Sequence, residues 1–325
     1  MKTINLAIVG AGRMGKTHAK ELAQLDNVNI AGVYDVDPKA AQAFKKTYGA
    51  SVYGGPQEIA VDPEIDGVLV CSPTPCHPEG VEPALAAKKV TFCEKPLCRN
   101  AVDGKRLLDV GLASGLPVAV GFVRRYMATT LEFKALIDAG TLGKVRFCNV
   151  DLPLGGYRRM PGDWFADFDA CGGVILDMLA HHIDLANWLF GEPARVYAAG
   201  LLLDKDQPEP ADYAASVVTY KSGVICNFMG SWWRSGRSAQ TMEVYGDDGS
   251  LSMDGSDTLV HFPKGGDKRD IAVPGASGHR CQMEAFVAAV RDGVPPTASL
   301  EDGFNSLGVA LAMIESAKTG QVVSL

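Results

Sequence analysis

Residues 4–35 restrict the fold more than any other part of the chain. A short apolar run, Ile4-Asn5-Leu6-Ala7-Ile8-Val9, passes at once into Gly10-Ala11-Gly12-Arg13-Met14-Gly15, and helical spacing follows over 16–25. A strand that turns through glycines straight into a helix is suited to holding an anion. The first glycine permits the tight turn and the second lets a pyrophosphate reach the backbone. The third allows close helix–strand packing, and the helix N-terminus faces the charge. Asp35 ends the next apolar run, at about the 20-residue spacing of an acid that accepts from both ribose hydroxyls of an adenosine. Gly10, Gly12, Arg13, Met14, Gly15 and Asp35 are therefore candidate dinucleotide contacts. The Asp35 charge would repel a 2′-phosphate, so NAD is favoured over NADP, although Arg13 or Lys39 partly offsets that repulsion. The plainer alternative is a glycine-rich turn beside a surface aspartate.

The pattern continues. Apolar runs at 28–34, 67–71, 89–93 and 118–122 alternate with helical spacing at 38–48, 77–87 and 101–114. Such alternation implies parallel strands joined by helical crossovers. After about residue 123 the character changes. A helix over 129–139, a strand over 144–151, a Gly/Pro/Arg-rich loop over 153–162 and one long helix over 173–190 are expected. The hairpin signals Lys221-Ser222-Gly223 and Gly246-Asp247-Asp248-Gly249 follow. Helices close the chain at 281–292 and 300–319. The expected architecture is α/β: an N-terminal domain over 1–122 with a doubly wound parallel sheet, and an α+β domain over 123–325. The last helix is a candidate to pack back on the first domain.

Composition narrows the function classes. The 325 residues carry 31 Lys+Arg against 38 Asp+Glu, a net charge of −7, which disfavours nucleic acid because phosphate requires a basic face. No apolar run approaches the ~20 residues of a membrane span. Eight cysteines are too few for a disulfide scaffold, and free thiols in the cytoplasm are expected. Cys71/Cys76 and Cys93/Cys98 repeat a C-x4-C spacing, but zinc sites use tighter pairs with histidines, so no metal is expected.

Two further groups carry chemistry. Glu94-Lys95-Pro96 follows the run ending at Cys93, where the C-terminal ends of parallel strands face a ligand crevice. A lysine there can donate to a substrate hydroxyl or to a cofactor, though the same tripeptide is also a common surface turn. Asp177 and His181 stand four apart on the expected helix and share a face. An aspartate that accepts from one ring nitrogen fixes the tautomer and leaves the other nitrogen as a base. A histidine that only packs is the alternative. His182, rotated by about 100°, cannot share that face easily.

Taken in order, these groups resemble the Gfo/Idh/MocA oxidoreductases along essentially the whole chain. The residues that carry the resemblance are Gly10 to Gly15 with His18, then Glu94-Lys95-Pro96, then Gly172-Gly173-Val174-Ile175-Leu176-Asp177 on to His181 and Asp184. The resemblance implies an N-terminal Rossmann domain and a C-terminal α/β domain with a large, mostly antiparallel open sheet, through which members form homodimers or homotetramers. It implies that Lys95, Asp177 and His181 are catalytic, and that Ser72, Thr74 and His77, with Glu94 and Lys95, lie along the cofactor. Gly121-Phe122-Val123-Arg124-Arg125-Tyr126 is similar to a segment of inositol dehydrogenases, which makes Arg125 a candidate substrate contact unless it is a surface residue in a basic doublet. The segment from Tyr157, Arg158 and Arg159 to Asp163 and Trp164 is a candidate pocket rim. Trp232 and Trp233 are open between surface and packing roles. Met178-Leu179-Ala180 replaces a smaller, Gly-containing stretch, which bears on pocket size.

The implied reaction is oxidation of a secondary hydroxyl on a cyclic polyol or sugar. In it His181 takes the hydroxyl proton, Asp177 steadies the imidazolium and Lys95 donates to the oxygen. The alternatives are a dehydrogenase or reductase of another sugar or a nucleotide sugar, for which Arg158, Arg159, Arg234 and Arg237 would supply charge, and a catalytically silent NAD-binding regulator.

Overall fold

The computed structural model describes residues 3–154, 164–201, 212–232 and 238–325. They form two compact units, Met1–Tyr126 with Ser277–Phe304, and Met127–Ala276 with Asn305–Leu325. The sequence reading gave 123–325 to the second domain, with the last helix a candidate to pack back on the first; the structure carries the first unit to Tyr126 and returns 277–304 to it, which takes in the helix Gly278–Asp292 and only the start of the last helix, Leu300–Thr319. The reason is apolar. Met283, Phe286, Val287 and Ala289 of the helix Gly278–Asp292 are buried in one cluster with Leu6, Ile8, Leu22 and Phe92.

The first unit runs β1 (Ile4–Val9), α1 (Arg13–Leu22), β2 (Val28–Tyr34), α2 (Pro38–Tyr48), β3 (Ser51–Val52), α3 (Pro56–Val61), β4 (Gly67–Val70), α4 (His77–Ala86), β5 (Val90–Cys93), α5 (Ala101–Ser114) and β6 (Val118–Val120). The strands form one parallel sheet in the order β3-β2-β1-β4-β5-β6. Every residue of β4, β5 and β6 is buried, as expected of strands covered on both faces. Winding reverses between β1 and β4, and a doubly wound sheet opens a ligand crevice at the carboxyl ends of the strands flanking that point. Local chemistry sets the helix ends. Asp37 caps α2 by accepting from the Lys39 N–H, with Pro38 at its first position, and Asn100 caps α5 by accepting from Asp103.

The second unit contains α6 (Ala128–Asp138), β7 (Val145–Pro153), α7 (Phe168–Cys171) and α8 (Ala180–Phe190). Its remaining strands are β8 (Pro193–Leu201), β9 (Tyr213–Tyr220), β10 (Ile225–Ser231), β11 (Thr241–Gly246), β12 (Gly249–Met253), β13 (Thr258–Pro263), β14 (Arg269–Ala272) and β15 (Val323–Ser324). They make a nine-stranded sheet in the order β14-β13-β12-β11-β7-β10-β9-β8-β15, antiparallel throughout except for the pair β7–β10. Side chains alternate cleanly. Cys148, Val150, Val218 and Phe228 are buried on one face, while Phe147, Tyr197, Val217 and Ile225 stand 39–46% exposed on the other.

The helix expected over 173–190 is present, but one of its turns is π-helical rather than α-helical. Gly172 and Gly173 both take left-handed φ, +71° and +66°, and end α7. A wider π-helical turn, Ile175–Leu179, then leads into α8. π turns inside helices commonly mark functional positions, and this one holds Asp177.

Candidate active site

The sequence-predicted cofactor residues gather at the carboxyl ends of four adjacent strands of the first unit. Gly10 takes φ +103°, and a Cβ there would meet the Cys71–Ser72 backbone at 2.7 Å, so the turn after β1 presses against the turn after β4. A Cβ on Gly15 would strike the Gly10 carbonyl, which explains the third glycine. One on Gly12 would meet nothing within 4 Å among the described residues. Gly12 and Arg13 are exposed and Met14 is half-buried. Asp35 is tied into the same turn: Oδ2 accepts from the Ala11 N–H at 2.7 Å, and Oδ1 from the Asp37 N–H at 2.8 Å.

The turn fits a dinucleotide. Open space lies over Gly12 at the N-terminus of α1, and Asp35 has lone pairs left for hydroxyl donors. The buried Ser72 hydroxyl, beside Gly10, has no hydrogen-bond partner among the described residues. Thr74, at the start of a short 3-10 turn, is buried. His77 is placed differently from its expected role along the cofactor. It is 1% exposed, with Nδ1 3.0 and 3.2 Å from the Pro96 and Leu97 carbonyls and Nε2 3.0 Å from that of Ser72. Both nitrogens thus lie on backbone, and the ring clamps the turn after β4 to the turn after β5. Burial lowers its pKa, against opposing contributions from the Leu97 carbonyl and Glu94.

Glu94 and Lys95 follow β5, and the Lys95–Pro96 peptide is cis. Glu94 is buried; Oε1 lies 2.6 Å from His18 Nε2, and Oε2 accepts from the Lys95 N–H at 3.0 Å. Burial pushes this carboxyl up, but the His18 hydrogen bond and charge, together with Lys95, outweigh it and hold the group below the ordinary carboxylate range. Lys95 itself is half-buried.

Arg125 requires a correction. It is 2% exposed, and its guanidinium grips Asp302 through Nη1 at 3.0 Å and Nη2 at 2.9 Å and donates to the Thr297 carbonyl at 2.8 Å. These bonds tie the segment after β6 to residues 297–302, so the side chain is a structural clamp rather than a substrate contact. Its neighbour Arg124 was missed. That residue is half-buried, has no carboxylate partner among the described residues, and is desolvated enough to bring its guanidinium down to about 10. A partly buried cation without a carboxylate partner is a candidate donor to a polar ligand. Nothing in the doublet itself distinguishes the two arginines.

In the second unit, Asp177 lies on the π-helical turn and His181 on the first turn of α8; both are half-buried. His182 is 2% and Asp184 0% exposed, so of the two histidines His181 is the more accessible. Trp164 packs on Phe165 with ring centroids 3.9 Å apart, and Trp232 is buried. Tyr157, Arg158, Arg159, Asp163, Trp233, Arg234 and Arg237 lie outside the described residues. Among the described residues no three His, Cys, Asp or Glu side chains are grouped to hold a metal ion, and no helix is long and apolar enough to cross a membrane.

A glycine turn at the reversal point of a six-stranded parallel sheet, with an acid closing the second strand, defines a dinucleotide-binding protein of the Rossmann class. Fold alone does not name a chemistry. Residues 4–122 match the oxidoreductase family with an NAD-binding Rossmann fold, and residues 130–252 match the GFO/IDH/MocA C-terminal domain. The chain belongs to the Gfo/Idh/MocA oxidoreductase family, and its first unit is an NAD-binding Rossmann domain. Among its relatives, the myo-inositol 2-dehydrogenase of Thermotoga maritima is 29% identical over 99% of this chain and 98% of its own length. The scyllo-inositol 2-dehydrogenase (NAD(+)) of Bacillus subtilis is 27% identical over 99% and 96%. The structure of an oxidoreductase domain protein from Kribbella flavida shares the fold with a TM-score of 0.91, at 22% identity over 100% of this chain and 99% of that one.

Proposed function

We propose that the protein is an NAD-dependent dehydrogenase that oxidises a secondary hydroxyl of a cyclic polyol of the inositol type. One observation carries the reading: Lys95, Asp177 and His181 occur together in a chain similar end to end to inositol 2-dehydrogenases. Gly10 to Gly15, Asp35, Ser72 and Thr74 would hold NAD, which when bound supplies the hydride acceptor. The protein's part is proton and charge management. His181 accepts the hydroxyl proton at a ring nitrogen, because imidazole is the side chain whose ordinary pKa lies nearest neutrality. Asp177 steadies the resulting imidazolium. The Lys95 ammonium donates to the substrate oxygen as negative charge builds there. Arg124 donates to a further hydroxyl.

Asp35 supports NAD over NADP, since a 2′-phosphate would meet a carboxylate already committed to two backbone N–H groups. The apolar open face of the nine-stranded sheet supports assembly with further copies of the chain, as a homodimer or homotetramer. Eight free cysteines support a cytoplasmic setting.

A panel of inositols, aldoses and nucleotide sugars, each offered with NAD and with NADP and followed by nicotinamide absorbance, tests the reading. The expected result is turnover of an inositol, with kcat/KM for NAD at least about tenfold above that for NADP. Turnover confined to nucleotide sugars would move the substrate class. NADH binding without turnover of any substrate would indicate a regulator.

A further inference from the structure

His18 is the one residue of the glycine-loop signature that the proposed chemistry leaves without a task. It lies on α1, the helix the glycine loop opens, and is 0% exposed. Its ring stands edge-on to Phe92, with centroids 5.0 Å apart at 71°. Nδ1 is buried and makes no hydrogen bond among the described residues, so the polar work falls to Nε2, 2.6 Å from Glu94 Oε1. The other Glu94 oxygen accepts the Lys95 main-chain N–H and lies where a Cβ on Gly121 would come within 2.7 Å of it. The carboxylate is therefore boxed in, and its two oxygens join two elements: the glycine-loop helix and the turn that carries Lys95.

Resting on the proposed role of Lys95, we propose that His18 and Glu94 act as one positioning unit, in which the imidazole holds the carboxylate and the carboxylate holds the Lys95 main chain in its productive place. The other titratable groups around Glu94 are Lys95 and Cys93 on its own strand and turn, Cys71 after β4, His77 on α4, and His279 on the helix Gly278–Asp292. The His279 ring lies 5.8 Å from that of His18. Among them His18 supplies the largest opposition to the burial of Glu94. Without His18 the largest part of that offset is lost, only the Lys95 charge and main-chain N–H remain to oppose burial, and the carboxyl protonates at a higher pH.

The test compares His18→Leu, His18→Gln and Glu94→Gln with the wild-type chain, using the pH profile of kcat, NADH affinity by fluorescence titration, and proton NMR of 15N-histidine-labelled protein. For His18→Leu the expected result is a kcat loss of about tenfold or more and an acid limb moved up by about one pH unit or more, with NADH affinity within about threefold. His18→Gln, which keeps a donor, restores most of both. Unchanged kcat and acid limb in folded His18→Leu would overturn the proposal. Should that variant not fold, Glu94→Gln decides: about a tenfold or greater kcat loss supports the unit, and wild-type turnover overturns it. The wild-type protein gives a readout independent of activity. A downfield, exchange-protected His18 Nε2 proton that disappears in Glu94→Gln supports the pair, and its absence from folded wild-type protein overturns it. If no polyol is oxidised, the functional reading falls while the NMR result still decides the pair.

Discussion

Arg124 and Arg125 are adjacent, chemically identical and opposite in circumstance. The Arg125 charge is buried and answered by a two-point contact with Asp302, whose carboxylate is 31% exposed, so removing the arginine costs about 3 kcal/mol through its lost contacts and packing rather than through a stranded charge. Arg124 has no such partner among the described residues. The two truncations should therefore separate. Arg125→Ala is expected to lower stability by about 3 kcal/mol in chemical denaturation, with KM for the polyol within about twofold where the protein remains folded. Arg124→Ala is expected to leave the melting temperature almost unchanged and to raise that KM about tenfold or more, the worth of a charge-assisted hydrogen bond. Equal stability losses in the two variants would remove the distinction.

At the scale of elements, the π-helical turn that leads into α8 matters most. A helix in αR geometry from 168 to 190 would set Asp177 and His181 by the ordinary 3.6-residue period; the left-handed glycines and the π turn replace that register with another. A Cβ on Gly172 would approach the Leu176 Cβ and Cδ2 to 2.6 Å in addition to opposing a left-handed φ. Gly172→Ala is accordingly expected to cost about 2 kcal/mol or more in denaturant titrations and to lower kcat more than it alters NADH affinity. Wild-type stability and turnover would show that this turn does not set the site.

The same element shows what the sequence can carry. Short apolar runs made β1, β4 and β5 legible, and with them the glycine turn, Asp35, Glu94 and Lys95. The π turn was hidden because Val174 and Leu179 read as ordinary helical positions; their packing against Gly230, at 3.1–3.2 Å from where its Cβ would stand, is known only once β10 is in place. Two-residue β3 is too short to show a period. The return of 278–292 to the first unit depends on which apolar surface its buried face meets, and the roles of His77 and Arg125 on which partners surround them.

At the scale of the whole molecule, the nine-stranded sheet has a face that its own unit does not bury. Phe147 stacks on Tyr245 there, with centroids 4.5 Å apart and planes 14° from parallel, and Asn227 donates to Asn149 at 2.8 Å. Tyr197, Val217, Ile225 and Leu201 are each 39–52% exposed, and Tyr197 and Val217 line a shallow groove together with Ala199 and Ala215. Contiguous apolar surface of this kind marks an interaction site, and a stable pair needs about 1,200 Å² or more of total burial, an area that a sheet this wide can supply. If a second copy covers it, charges placed at its centre lose their water on assembly and cost several kcal/mol without a partner. Val217→Lys combined with Ile225→Lys is therefore expected to shift the mass measured by light scattering at micromolar concentration from a multimer to the single chain. NADH affinity should persist, because the residues assigned to the cofactor lie in the first unit. The face has another purpose if the wild-type chain already runs as a monomer, or if the charged variant keeps the multimeric mass.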